Sequence, residues 1–358
     1  MLQQQGVRVG VIYPEIRPLK SFTPSALLRN HFQIEKRVEE GIPTVRMHGW
    51  NLFPKILQGT QWQWKQAVYR LYEEYCTSFG RPTLIHAQSA LWGGVAAAAL
   101  SERFSIPYLV SEHRDNFLFE DLNLKASQNW LKPLLKEVFS KASAVTTVSR
   151  FLQKGVLRYV NKVSVIPNFI DTRHFLPVEK EANPHFIFLT VGNLMKSKNI
   201  DTLLDAYALL QKEDKEVLLQ VVGAGPERKI LEAKAIRLGL PVQFRGAVLR
   251  SQIRDVYRKA DAFVLPSCVE TFGIVFVEAM AMGLPSIGVK GGGPEEILEE
   301  GGGLLIDQAD PKLLKEAMLN LKNDTHRYSR EALHAKASSR YGQDTIIQKW
   351  IEIYSHYN

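Results

Sequence analysis

Two carboxylates, Glu270 and Glu278, bracket seven mostly apolar residues in the most informative stretch of the 358-residue chain, positions 261–296. The spacing places Glu270 and Thr271 at the start of a helix that Gly283 and Pro285 end. Glu278 then falls mid-helix, among Val275, Phe276, Val277, Ala279, Met280, Ala281 and Met282. A helix apolar on every side is a core helix. A carboxylate inside it has lost its water and requires partners. These are either a buried cation or several donors of the protein itself, or the hydroxyls of a bound sugar. The residues alone leave both readings open.

Other candidates lie where strands give way to helices. Gly223-Ala224-Gly225-Pro226 follows a strand and opens a helix, but position 228 is Arg, so the third glycine of a dinucleotide fingerprint is missing. A tight turn explains it as well as a phosphate cradle. Gly291-Gly292-Gly293-Pro294 is similar, a loop that turns or hosts an anion. Lys196 and Lys198 are equally eligible on composition to meet a diphosphate at the open edge of a sheet, and each reads equally as a solvated lysine. His113 closes the strand 108–111 and reads as either a structural or a catalytic imidazole. His86, inside the strand 83–87, reads as buried structure.

The elements that must position these residues alternate. Phe186–Val191, Val217–Val222, Val242–Gly246, 262–266 and 284–289 are strand candidates, separated by helical patterns at 201–211, 227–238, 251–259 and 274–282. Such alternation implies a parallel sheet with helices on both faces. The first half repeats it through strands at 7–13, 83–87, 108–111, 144–148 and 163–166. Helices are expected at 61–78, 90–104, Leu131–Lys141 and 150–159. The polar stretch 168–184 divides the chain into domains 1–168 and 169–343, and a helix over 344–358 is expected to return onto the first. Met1–Gly6 resembles the last turn of a helix with its glycine cap. Either the start is truncated, or the first domain lacks the strand and loop that normally open it.

With 45% hydrophobic and 23% charged residues, the composition is that of an ordinary globular protein. No apolar run reaches the ~18–20 residues needed to span a bilayer, and no secretory signal opens the chain. Cys76 and Cys268 lack metal-ligand spacing, which predicts a cytoplasmic setting and no bound metal. Residues 1–170 carry 21 Lys and Arg against 12 Asp and Glu, so all of the +8 net charge lies in the first half. A polyanionic partner fits this asymmetry. Arg17, Lys20, Arg29, Lys36 and Arg37, with Trp50, Phe53, Trp62 and Trp64 nearby, read either as a dock for an anionic membrane surface or as a solvated face over core aromatics. No nucleic-acid signature accompanies them.

Together the stretches E-T-F-G-I-V-F-V-E, V-G-N-L-M-K-S-K, V-V-G-A-G-P, S-V-I-P-N-F-I-D and L-V-S-E-H resemble glycosyltransferase family 4, the group 1 glycosyl transferases. The resemblance spans nearly the whole chain and is strongest over 186–306. It implies the GT-B fold, two Rossmann-like domains facing across a cleft. It also implies retaining transfer from a nucleotide diphosphate sugar, with no metal cofactor, to a glycan or lipid-linked acceptor in cell-surface polysaccharide or glycolipid synthesis. By the same resemblance Glu270 orients the sugar and Glu278 binds the ribose. Lys198, rather than Lys196, pairs with the phosphates, and His113 lies near the sugar's primary hydroxyl. Phe272, Gly273 and Ile274 face the diphosphate, with Asn193, Gly223 and Val248 completing the donor site. Asn193 stands where the family often has Arg. The family's first strand and glycine loop have no counterpart before Met1, which predicts surviving donor binding with impaired transfer. A nucleotide-sugar-binding protein, or an epimerase or hydrolase of the same fold, is the alternative.

Overall fold

The computed structural model describes residues 2–21, 23–54, 56–114, 130–177, 183–299 and 301–357. A 3-10 turn, Leu2–Gln5, leads into β1 (Val11–Arg17), α1 (Pro24–Arg29), β2 (Gln33–Glu39) and β3 (Ile42–Trp50). Next come α2 (Leu57–Phe79), β4 (Ile85–Gln88), α3 (Val95–Phe104), β5 (Tyr108–Glu112), α4 (Leu131–Lys141), β6 (Ala144–Thr147), α5 (Arg150–Val156) and β7 (Ser164–Val165). The second half runs β8 (Phe186–Val191), α6 (Ile200–Glu213), β9 (Val217–Val222), α7 (Arg228–Arg237), β10 (Val242–Gly246), α8 (Ile253–Arg258) and β11 (Ala262–Val264). It closes with α9 (Ile274–Ala281), β12 (Ser286–Val289), α10 (Gly293–Leu298), β13 (Gly303–Ile306), α11 (Pro311–Asn323), α12 (Arg330–Tyr341) and α13 (Gln343–Ser355).

The second sheet is parallel, in the order β10-β9-β8-β11-β12-β13. The chain winds outward from β8 to β10, then crosses back to β11 and winds the other way. That reversal leaves a crevice at the carboxyl ends of β8 and β11, where folds of this kind bind ligands. Phe188, Leu189, Phe263 and Val264 are fully enclosed, because helices cover both faces. Helix α9 lies between the sheet and α12, which is why its sequence is apolar all round. It starts later than its spacing suggests. Gly273, at φ +87° and ψ +54°, breaks the helical run, so Glu270 and Thr271 lie in a loop and not in a first turn.

The first half departs further from expectation. Gly6 ends the opening turn at φ +81°, its N–H reaching Gln3 O while Val7 N–H reaches Leu2 O, the Schellman pattern. The first strand is Val11–Arg17 and not 7–13, because pairing with β3 begins only at Val11 opposite Thr44. The hairpin β2–β3 has no counterpart in the expected elements. Its two-residue turn, Glu40 and Gly41, has positive φ at both positions, the geometry that suits right-twisted strands.

The strands of this half form two separate sheets, β1-β3-β2 and β4-β5-β6-β7. Side chains join them. Ile12 of β1 and Ile85 of β4 pack on one cluster made by Val68 and Tyr72 of α2 with Leu100 and Ile106. Helix α13 reaches this half. The Tyr354 hydroxyl is 2.7 Å from His86 Nδ1, and Tyr357 donates to the Ser143 carbonyl. Among the described residues no helix is long and apolar enough to cross a membrane.

Candidate active site

Lys198 and Glu270 meet at the crevice where the winding reverses. Lys198 ends the 3-10 turn after β8, and Glu270 lies in the loop after β11. Lys198 Nζ is 2.5 Å from Glu270 Oε1, and Ser267 Oγ donates to the same oxygen at 3.0 Å. The side chains are only 21% and 15% exposed, so the pair sits in a partly dry setting. Lys196, by contrast, is exposed. Backbone bonds tie the Glu270 loop to the Lys198 loop and to the start of α10. Cys268 N–H donates to Ser197 O, and Gly293 N–H donates to Glu270 O.

Glu278 points inward from α9 and is 5% exposed. Among the described residues no buried cation faces it. Tyr257 Oη donates to Oε2 at 3.0 Å, and the largely exposed Arg250 lies 3.9 Å from Oε1. Burial therefore pushes the Glu278 carboxyl above its ordinary range, against the opposing pull of Tyr257 and Arg250. Burial likewise raises the Tyr257 phenol, and the Glu278 charge adds to it. A charged carboxylate with one hydroxyl donor is under-satisfied and can take further donors.

The glycines between these groups have a packing role. A Cβ on Gly223 would stand 1.8 Å from Gly192 O, and one on Gly225 would meet the backbone of Leu194 at 2.3 Å. The tight-turn reading of Gly223-Ala224-Gly225-Pro226 thus has its physical cause in close approach of the loops after β8 and β9. Gly223→Ala is expected to lower thermal stability by roughly 1–3 kcal/mol through overpacking. A calorimetric scan showing no loss would contradict this. The Gly291 loop also has an internal use for its amide, because the Glu295 carboxylate folds back to accept from Gly291 N–H.

Asn193 is exposed on the loop after β8, and Val248 lines a shallow depression with Arg245, Gln252 and Asp255 beyond β10. Phe272 is buried edge-on to Tyr341, with ring centres 5.7 Å apart, so its backbone rather than its ring is left to face a ligand. Ile274 opens α9, where the amides of Ile274 and Val275 have no intrahelical acceptor, while that of Phe276 donates to Gly273 O.

His113 follows β5, on the carboxyl edge of the first-half sheet. Its backbone is anchored by Glu112, a fully buried carboxylate that accepts from the amides of Ala90, His113 and Arg114 at 2.8–2.9 Å and from Ser89 Oγ. The same carboxylate holds Ser89 at φ +78° at the start of the kinked segment after β4. Such strain persists only where surrounding contacts over-determine it. Burial lowers the His113 pKa, opposed by the Glu112 charge, so the neutral ring dominates at neutral pH.

The two carboxyl edges face and touch each other. Ser149 Oγ donates to Thr271 O at 2.5 Å, and Phe151 N–H donates to Glu296 Oε1 at 3.0 Å. Ser149, two residues past β6, thus bonds to the loop that carries Glu270. Sequence reasoning missed Glu112, Ser267, Arg250 and Tyr257. A carboxylate beside His113 at the end of an apolar strand was a readable signal for Glu112. Nothing local pointed to Tyr257, which lies 21 residues from Glu278.

Two Rossmann-like domains meeting at their carboxyl edges define the GT-B class, and solved structures share this fold. A sucrose-phosphate synthase from Thermosynechococcus elongatus superposes with a TM-score of 0.76 at 20% identity, covering 98% of this chain and 99% of that one. Anabaena HepE in complex with UDP and glucose gives 0.71 at 22% identity, covering 97% and 99%. The family model for Glycosyltransferase Family 4 matches residues 1–174 and that for Glycosyl transferases group 1 matches 172–340. The chain belongs to this glycosyltransferase family. A Bacillus subtilis protein assigned to teichuronic acid biosynthesis as the glycosyltransferase TuaC is 29% identical over 350 residues, which is 90% of this chain and 82% of TuaC. The N-acetyl-alpha-D-glucosaminyl L-malate synthase of Bacillus anthracis is 28% identical, and the match spans 65% of each protein.

Proposed function

We propose that the chain transfers a sugar from a nucleotide diphosphate sugar to an acceptor hydroxyl with retention at the anomeric carbon. The observation that carries this is the half-buried Lys198–Glu270 pair at the crevice, with the under-satisfied Glu278 on the next helix. HepE has been solved with UDP and with UDP-glucose, which makes uridine donors the first to try.

In this reading the incoming diphosphate takes Lys198 away from Glu270. The freed carboxylate then accepts from hydroxyls of the sugar, while Glu278 accepts from the ribose. The bond from the anomeric carbon to the phosphate oxygen breaks, and the diphosphate leaves with the electron pair. The acceptor oxygen attacks the same face, and its proton passes to the departing phosphate. Lys198 and the first-turn amides of α9 stabilise the negative charge that develops. Donors fixed in place before the reaction need no reorganisation as that charge grows, which is why they are so effective. A thermal-shift panel of nucleotide sugars, followed by product analysis with and without acceptor, tests the proposal. Free sugar or an epimer formed equally in both conditions would favour a hydrolase or epimerase.

A lipid-linked acceptor is the second part of the reading. Arg17 and Arg37 are paired with Glu15 and Glu35, Lys36 with Glu74 of α2, and Trp50 is buried. What remains outside is Lys20 and Arg29 with Leu28, Leu52, Ile56 and Trp62, the last 59% exposed. Exposed apolar groups beside cations suit an anionic bilayer surface. The chain is expected to co-sediment with phosphatidylglycerol-rich vesicles, and Trp62→Ala to weaken this severalfold. No binding at low salt would exclude it.

A further inference from the structure

Beside the cleft, one hydrogen-bonded chain joins His113 to the C-terminal helix. His113 Nε2 is 2.9 Å from Gln88 Oε1. An amide oxygen only accepts, so Nε2 carries the proton and Nδ1 is left as a bare acceptor. Nδ1 has no hydrogen-bond partner among the described residues. The amide nitrogen of Gln88 lies 3.1 Å from His86 Nε2. That group only donates, so His86 Nε2 is unprotonated and Nδ1–H donates to Tyr354 Oη at 2.7 Å. Ser111 Oγ, 2.6 Å from His86 Nε2, also donates to it and shares the ring nitrogen's single lone pair with the Gln88 amide, and Thr146 Oγ1 then donates to Ser111 at 2.7 Å. Each link joins a donor to an acceptor, and each tautomer depends on the next.

The surroundings keep His86 from charging. The ring of Trp350 is tilted against it at 4.8 Å and that of Tyr354 meets it edge-on at 5.8 Å. Burial, with the neighbouring His113, brings its pKa down to about 4. A neutral His86 gives Gln88 a lone pair to donate to, and so favours one orientation of the amide.

We propose that Gln88 is a positioning residue that holds His113 as the Nε2–H tautomer, so that Nδ1 accepts a hydrogen bond from a hydroxyl of the donor sugar. His86, clamped by Tyr354 of the C-terminal helix, holds Gln88 in that orientation. The proposal rests on the reading of His113 as facing the donor sugar. With the opposite tautomer, Nδ1–H would lose its place as acceptor, and the hydroxyl would have to turn.

The test is ¹⁵N NMR of the ring nitrogens in the full chain, read beside steady-state kinetics. Native His113 is expected to show the Nε2–H pattern. Gln88→Leu is expected to give a mixture of tautomers and to lower kcat about tenfold, with the thermal shift induced by UDP unchanged. Gln88→Glu keeps an acceptor opposite Nε2, so it should restore the Nε2–H pattern, raise the His113 pKa and recover most of kcat. Tyr354→Phe should have a smaller effect in the same direction. An unmoved tautomer in Gln88→Leu, or Gln88→Glu no better than Gln88→Leu, overturns the relay. Failure of the donor reading shows separately, as no nucleotide-sugar binding by the native chain, because the tautomer is read without ligand.

Discussion

Lys198→Ala is expected to lower kcat for sugar transfer by about a hundredfold, roughly 2.7 kcal/mol, the scale of removing one preorganised group from developing charge. The fall should be in kcat more than in KM, because the charge on the leaving diphosphate grows toward the transition state. Removing Lys198 also leaves Glu270 without its cation, with Ser267 the only donor to Oε1 that remains among the described residues. Lys198→Ala/Glu270→Gln should therefore be better folded than Lys198→Ala alone, yet no more active. Steady-state kinetics on the three variants, with circular dichroism as a control, measures this. Turnover of Lys198→Ala within a factor of about three of the native protein would remove Lys198 from the chemistry.

Glu278→Gln should separate function from stability. A carboxylate accepting from both ribose hydroxyls loses about 1.5–3 kcal/mol on becoming a neutral amide, or about 10–100-fold in donor affinity. Stability should move the other way. Burial raises the native Glu278 above the ordinary 4.5, so the folded chain holds this proton more tightly than the unfolded one. The contribution of Glu278 to native stability is then greatest below the ordinary value, falls as pH climbs toward the raised native value, and is level above it. The glutamine variant lacks that fall. Its Tm should equal that of the native protein in acid and exceed it at neutral pH, by about 2–4 °C for each 1 kcal/mol recovered. Donor affinity of the native protein should also weaken as pH drops through the raised value. Calorimetry and titration with UDP from mildly acidic to neutral pH give both readings. A variant less stable than the native protein at neutral pH would mean that Tyr257 already offsets the burial of the charge.

The alternation of strand and helix in the second half is legible because parallel strands covered on both faces read as unbroken apolar runs. Phe186–Val191, Val217–Val222 and Val242–Gly246 coincide with β8, β9 and β10 for that reason. The first half reads less well. The strand Gln33–Glu39 is rich in charged residues and buries none of them fully, so its apolar signal is weak. Its turn is marked only by Glu40-Gly41. The start of α9 lies later than the spacing implies because spacing cannot show where Gly273 adopts a left-handed conformation.

By itself the sequence determined that a carboxylate would be buried in an apolar helix, that Glu270 would precede it, and that Lys198 and His113 would lie at strand ends. Local pattern suffices for this, since burial follows from neighbours along the chain. Only the tertiary structure decided what those groups meet. Winding outward from β8 in both directions sets Lys198 against Glu270 across 72 positions. The approach of α8 to α9 gives Glu278 a phenol where a cation was the alternative. The return of α13 places Tyr354 on His86 across 268 positions. Partners so distant in sequence are chosen by the order of strands in a sheet, and spacing along the chain carries no record of that order.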